Sequence, residues 1–266
     1  MNPRITDWQG LRVWIVGASS GIGEALAREL AARGARVALS ARRRELLGRI
    51  AAELPGSLAL PCDAADPAAL EAAARQLDEL WQGIDVAIYA AGIWHPVSAT
   101  EFDGARIDAT LDINLRGAMH FAAVLAPRLL RRGEGTAGHG RALAFVGSVA
   151  GYRPLPRALL YGTSKAALNY FAGALHLDLA PRGLGVFLIN PGFVETPMTA
   201  VNDFPMPALV PTERAVREIV AGFARGNFEI HFPRRLSWTL KALGLLPDGL
   251  YYPLMRKLTR GDHAKT

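Results

Sequence analysis

The chain has 266 residues, half of them hydrophobic and 20% charged, with a net charge of +6; a chain of this size can bury one large core and lies near the upper limit of a single α/β domain. Its one cysteine, Cys62, excludes an intrachain disulfide, and no apolar run approaches the eighteen or so residues that would span a bilayer. The opening MNPRITDWQG lacks the basic and then apolar profile of a secretory signal, so a cytoplasmic location is expected.

The first apolar run, residues 11–16, reads as a buried strand. It is followed at once by Gly17-Ala-Ser-Ser-Gly21-Ile-Gly23, which opens an alanine-rich stretch with apolar residues at helical spacing, 23–33. Glycines between a strand and a helix let the backbone turn sharply and approach a pyrophosphate, whose charge then meets free N–H groups at the helix N-terminus. Gly17, Ser19, Ser20, Gly21, Ile22 and Gly23 are therefore the candidate dinucleotide loop; a tight turn without a ligand is the simpler alternative for the glycines taken alone. The second predicted strand, 37–40, ends in Ser40-Ala41-Arg42-Arg43, about where a dinucleotide enzyme contacts the adenosine ribose. An acidic residue there would accept hydrogen bonds from both ribose hydroxyls and repel a 2′-phosphate. None is present. Arg42, with Ser40 or Arg43 helping, is expected to pair with that phosphate and favour NADPH, the alternative being that 42–44 form a solvated helix start.

Further strands are predicted at 58–61, 86–90, 142–146 and 186–189, with a helix at 68–81. The glycine-rich residues 131–141 are expected to be a mobile connection. Trp94 and His95 follow the fourth strand and could border a pocket, although a solvent-facing histidine is the expected reading of His95. Ser148 follows the fifth strand and can donate a hydrogen bond to a substrate oxygen on which negative charge grows. Tyr161 and Lys165 are four apart and share one helix face. A tyrosine pKa of about 10 is too high for easy proton exchange near neutrality, and a nearby ammonium is expected to lower it. Each of the three residues alone would be structural; in this order, downstream of a nucleotide loop, they predict a proton-transfer group. Residues 199–211 contain Phe204, Met206, Leu209 and three prolines, which suggests an apolar lid over a hydrophobic ketone or aldehyde.

Strands alternating with helices predict a single-domain, Rossmann-type α/β fold. It is a doubly wound parallel sheet with helices on both faces and ligands beyond the carboxyl ends of the strands. The catalytic domain is expected over 1–232, closing with a strand at 228–232. Residues 233–266 are expected to be a basic, amphipathic helical extension of the same domain, with helical segments at 234–247 and 250–258. From His231 onward seven Lys or Arg face only Asp248 and Asp262, which places five of the six net positive charges there. The body is close to neutral and has no basic stripe with interleaved aromatics, which argues against nucleic acid. Lys241 and Pro247-Asp248 exclude a spanning helix. Packing of the extension over the pocket or on a partner subunit is expected, with peripheral contact at a membrane interface as the alternative.

Together these segments resemble the short-chain dehydrogenase/reductase family over about residues 11–198. The resemblance rests on the glycine motif, Asp63 after the third strand, Asn114 in Asp112-Ile-Asn-Leu, Ser148, Tyr161-x-x-x-Lys165 and Pro191-Gly-Phe-Val-Glu-Thr-Pro-Met198. It implies that Tyr161 donates the proton in reduction and Ser148 fixes and polarises the carbonyl. Lys165 would bind the nicotinamide ribose and tune Tyr161, and Asn114 would hold a water linking Lys165 to solvent. Asp63 would contact adenine, Ala91 and Gly92 would permit close approach of the cofactor, and Pro191, Gly192, Val194 and Thr196 would cover the nicotinamide. A homodimer or homotetramer through the helices carrying Asn114 and Tyr161 is also implied. Two departures stand out: Tyr89-Ala90 replaces the family's usual Asn-Asn, and Val16 replaces a common threonine.

The expected activity is an NADP(H)-dependent interconversion of a carbonyl and a secondary alcohol on an apolar substrate, lipid- and steroid-like compounds included, with no metal. The alternatives are reduction of a 3-oxoacyl thioester and a non-enzymatic NADPH-sensing scaffold, against which the intact Ser148, Tyr161 and Lys165 argue.

Overall fold

A computed structural model describes residues 1–97, 99–131 and 140–259. In chain order they form β1 (Arg12–Val16), α1 (Gly21–Ala32), β2 (Arg36–Ser40), α2 (Arg44–Ala52), β3 (Leu58–Ala59), α3 (Pro67–Trp81), β4 (Val86–Tyr89) and α4 (Gly104–Leu111). A single π-helical turn, Asp112–Arg116, joins α4 to α5 (Gly117–Arg131). There follow β5 (Ala142–Val146), α6 (Leu159–Leu179), β6 (Gly185–Pro191), α7 (Thr212–Arg225), β7 (Glu229–Phe232), α8 (Arg234–Gly244) and α9 (Asp248–Thr259). The connection expected at 131–141 lies for the most part, at 132–139, outside the described residues.

The seven strands form one parallel sheet in the order β3-β2-β1-β4-β5-β6-β7. The chain winds outward from β1 to β3, returns to β4 beside β1, and continues to the other edge. The direction of winding reverses between β1 and β4, and a crevice opens there beyond the strand ends.

The strands are apolar on both faces because both faces are covered. In β1, Val13 and Ile15 join the core packed by α1, α2 and α7, while Trp14 and Val16 join the core packed by α3, α5 and α6. This is the period of two of a strand applied to a doubly covered sheet. Each fully buried Val, Leu or Ile contributes about 1.5–3 kcal/mol. At the opposite end of the sheet Arg12 makes a two-pronged ion pair with Asp85, at 2.9 and 3.0 Å, which ties the starts of β1 and β4 together. Asn2 donates to the Val186 carbonyl and accepts from its N–H, so the first residues are bound to β6.

The C-terminal helices pack on the chain itself. Ser237 is fully buried, and its hydroxyl is 2.7 Å from His231 Nδ1 on β7. Tyr251 is also buried; its hydroxyl donates to the Pro154 carbonyl at 2.6 Å and the Arg153 guanidinium lies 3.9 Å from its ring centroid. Trp238, Leu250 and Tyr252 remain exposed on these two helices, as does Leu245 just after α8. No helix among the described residues is long and apolar enough to cross a membrane.

Candidate active site

The glycine segment occupies the predicted place between β1 and α1. Gly17 has φ +93°, and a Cβ on it would lie 2.4 Å from the Ala91 backbone nitrogen, so neither the conformation nor the space admits a side chain. The end of β1 can thereby lie directly against the end of β4. Ser20 precedes α1 in extended conformation and its side chain does not cap the helix, leaving the first N–H groups of α1 to a ligand. Beyond these strand ends lies a cleft of about 330 Å³. It takes in the loop from Gly17 to Gly23, Arg42, Arg43, Asp63, Ala91, Gly92, Ser148, Tyr161, Lys165, and Pro191, Gly192, Val194 and Thr196. Segments separated by as much as 180 positions thus meet at one switch point.

One expected cofactor contact, Ser40, requires correction. Ser40 is fully buried and turned away from the cleft: its hydroxyl accepts from Trp14 Nε1 at 2.9 Å and donates to the Leu60 carbonyl at 2.6 Å. It is the last residue of β2 and falls on the covered side of the pleat, so it cannot assist Arg42. Arg43 donates to the hydroxyls of Ser19 (2.7 Å) and Ser20 (2.9 Å) and braces the glycine loop. Arg42 borders the cleft and is exposed, and its guanidinium has no hydrogen-bond or ion-pair partner among the described residues.

Ser148, Tyr161 and Lys165 meet at one end of the cleft because β5 delivers the serine and one face of α6 the other two. Tyr161 lies against Trp94, edge to face with centroids 5.2 Å apart. Burial pushes the Tyr161 phenol up, and a hydrogen bond from the Ser148 hydroxyl acts the other way by favouring phenolate. Lys165 is almost wholly buried, donates to the Val146 carbonyl at 2.8 Å, and has its ammonium pushed down to about 8 by desolvation. Its Nζ stands 5.6 Å from the Tyr161 ring centroid. The ammonium thus stands near the phenol ring, and burial is the larger influence on the Tyr161 phenol, ahead of the Ser148 hydrogen bond. Cys62 also lines the cleft, but burial pushes its thiol up to about 11 and leaves it protonated near neutrality.

Asn114 lies in the π-helical turn and is fully buried. Its Oδ1 accepts from the Ile93 N–H (2.7 Å), and its Nδ2 donates to the Ile93 carbonyl (3.0 Å) and to Ser164 Oγ (3.0 Å). The side chain ties the exit of β4 to α6. The replacement of Asn-Asn by Tyr89-Ala90 has a visible compensation: the buried Tyr89 hydroxyl donates to the Ile113 carbonyl at 2.6 Å, which anchors the same π-helical turn to β4. Val16 is simply core.

His95 is exposed, as expected. The segment 199–211 is held at three points. Trp94 Nε1 donates to Asn202 at 2.8 Å, Arg157 pairs with Asp203 at 2.9 Å, and Phe204 lies against Phe193 with centroids 6.1 Å apart. Sequence reasoning missed Arg157, whose partner lies 46 positions away with no local signal. It also missed Ile93, Ile113 and Met198 as cleft-lining residues. Among the described residues no group of His, Cys, Asp and Glu could hold a metal.

A family model described as short chain dehydrogenase matches residues 12–204. An uncharacterized oxidoreductase of Myxococcus xanthus is 34% identical over 248 residues, 92% of this chain and 96% of that protein. Among solved structures, a short-chain dehydrogenase from Sphingobium yanoikuyae in complex with NADPH matches with a TM-score of 0.76 and 25% identity, over 96% of both chains. A short chain dehydrogenase from Burkholderia cenocepacia in complex with NADP matches with a TM-score of 0.74 and 28% identity, over 84% of this chain and 95% of that one. The parallel seven-stranded sheet, the glycine loop at its switch point and the extent of these matches lead to one conclusion: the chain belongs to the short-chain dehydrogenase family and is an oxidoreductase.

Proposed function

We propose that the protein is an NADP(H)-dependent reductase and dehydrogenase that interconverts a carbonyl and a secondary alcohol on an apolar substrate. The observation that carries this reading is the convergence of Ser148, Tyr161 and Lys165 at one end of the cleft whose other end is the glycine loop.

The cleft suits a nicotinamide dinucleotide. The backbone cradle at Gly17, where a Cβ would strike Ala91, and the uncapped start of α1 suit a pyrophosphate. Arg42, exposed at the cleft edge, suits a 2′-phosphate, and the complexes of the two structural relatives with NADPH and NADP support that choice. Asp63 lines the cleft and suits adenine, and Pro191, Gly192, Val194 and Thr196 suit the nicotinamide end. When bound, the reduced nicotinamide supplies a hydride to the carbonyl carbon. This chain's own residues handle the oxygen: Ser148 donates a hydrogen bond to it, Tyr161 gives up its phenolic proton to it, and Lys165 binds ribose and supports the resulting phenolate. Hydride and proton together convert the carbonyl to the alcohol, and the reverse sequence oxidises it.

The apolar substrate is supported by Met198 in the cleft lining and by Trp94 packed against Tyr161. A homodimer or homotetramer is supported by Met119 on α5 and by Tyr170 and Leu177 on α6, large side chains left exposed. A cytoplasmic enzyme is the setting that a single, buried, unpaired cysteine suits. Peripheral membrane contact is a second reading, favoured by Trp238, Leu245, Leu250 and Tyr252 lying exposed on or just after helices that also carry Arg234, Arg235 and Lys257.

The test is oxidation of NADPH and NADH with ketones and aldehydes graded in chain length and ring number, with Tyr161→Phe as control. NADPH-linked turnover that rises with hydrophobicity and falls about 10²–10⁴-fold in the variant is expected. Turnover undiminished in the variant would refute the role of Tyr161.

A further inference from the structure

We propose that Glu229 is a positioning residue for Ser148, and that helix α8 is built into the catalytic turn through it. The inference rests on the reading of Ser148 as the group that binds the substrate oxygen.

Ser148 opens a single 3₁₀ turn, Val149–Gly151. Its hydroxyl accepts from the Ala150 N–H at 3.1 Å, and the turn closes with the Gly151 N–H on the Ser148 carbonyl (3.0 Å) and the Tyr152 N–H on Val149 (3.2 Å). A turn this short has little cohesion of its own, so its place in space depends on what grips its two ends. At the leading end, the side-chain oxygen of Asn190 lies 2.3 Å from where a Cβ on Gly147 would stand, so Asn190 fits directly against the residue before Ser148. At the trailing end stands Tyr152. Both grips converge on one carboxylate at the start of β7: Glu229 Oε1 accepts from the Tyr152 hydroxyl at 2.5 Å and from Asn190 Nδ2 at 2.8 Å.

The other oxygen of Glu229 pairs with the Lys241 ammonium from α8. The same ammonium lies 5.3 Å from the Tyr152 ring centroid and 5.2 Å from that of Trp238. The next residue, Arg153, donates to the carbonyls of Gly244 (2.8 Å) and Leu246 (2.5 Å) at the end of α8 and pairs with Asp248 at 2.5 Å. The segment after Ser148 is thus clasped by the last turn of α8 and the connection that leads to α9.

Although burial pushes the Glu229 carboxyl up, its hydrogen bonds from Lys241, Tyr152 and Asn190 prevail and hold it below the usual carboxylate range. It is an acceptor at working pH, and the Tyr152 phenol, pushed up in turn, stays a donor. A half-buried ion pair is weak evidence for stability, since packed apolar groups would serve as well. A carboxylate that accepts from three donors on β6, the catalytic turn and α8 instead fixes one geometry.

The test uses the full chain and the best carbonyl of the panel, with Tyr152→Phe, Glu229→Ala and Glu229→Gln made in both the native and the Ser148→Ala background. NADPH affinity is measured by fluorescence. In the native background, Tyr152→Phe and Glu229→Ala should each lower kcat about tenfold to a hundredfold, the order expected of a small misplacement, with NADPH Kd unchanged. Glu229→Gln should recover part of the loss, because its amide oxygen still accepts from Tyr152. In the Ser148→Ala background neither change should lower kcat further. Full kcat in both variants, losses that persist without Ser148, or a parallel fall in NADPH affinity and Tm would each overturn the inference. If Glu229→Ala does not fold, Tyr152→Phe, which removes one atom, carries the test. If the native protein turns over no carbonyl, the proposed activity fails separately. The geometric inference is then decided by amide exchange of residues 149–152, expected to quicken in Tyr152→Phe and overturned if unchanged.

Discussion

Lys165 offers a test in which stability and function pull in opposite directions. The ammonium is almost wholly buried, it donates to the Val146 carbonyl, and desolvation pushes it from the ordinary 10.5 down to about 8. A folded-state value below the unfolded one means that the charged lysine opposes folding. The penalty, about 3 kcal/mol, is fully present below pH 8, where both states hold the proton. Between pH 8 and 10.5 the folded protein has released the proton and the unfolded chain has not, so stability rises with pH. From pH 7 to 9.5 the gain is about 2 kcal/mol. Other groups titrate in this range, so the quantity to measure is the difference between the native protein and Lys165→Met. Both are unfolded in urea at half-unit pH intervals without cofactor, whose binding would add its own stabilisation. The native protein should gain about 2 kcal/mol on the variant across that window, while the variant loses turnover. A difference that is flat, or that falls with pH, would show that the lysine is not desolvated as its burial implies.

Three further outcomes are expected. Arg42→Ala should weaken NADPH binding roughly ten- to hundredfold by removing a charge-assisted contact and leave NADH binding nearly unchanged; equal losses for both cofactors, measured by fluorescence titration, would remove Arg42 from phosphate recognition. Gly17→Ala should destabilise the fold by more than about 1 kcal/mol and abolish cofactor binding, because φ +93° and the Ala91 backbone both reject a methyl group; a native urea midpoint would contradict this. Tyr89→Phe should lower stability by about 1 kcal/mol, since the part-buried Ile113 carbonyl loses the phenol as a donor, and an unchanged midpoint would mean that the π-helical turn is anchored elsewhere.

The sequence alone determined the elements whose cause is local. Continuous apolar runs mark strands covered on both faces, and a glycine loop placed between strand and helix marks the nucleotide end of the cleft. The i, i+4 spacing of Tyr161 and Lys165 puts them on one face of α6 before any partner is known. Tertiary structure decided everything that depends on which distant groups share an environment. Ser40 stands in a ribose-contact position by sequence, yet the pleat of β2 turns its hydroxyl to Trp14 and Leu60. Nothing local to Asn114 shows that its amide joins Ile93 after β4 to Ser164 on α6. The compensation for the altered Tyr89-Ala90 pair, the Arg157–Asp203 clasp and the grip of Glu229 on Tyr152, Asn190 and Lys241 each join residues 24 to 77 positions apart or segments of different layers. The physical reason is the reach of each kind of signal. Periodicity and backbone chemistry act over a few residues and are written in the chain, whereas burial, desolvation and hydrogen-bond partners exist only once the sheet has brought its strand ends together.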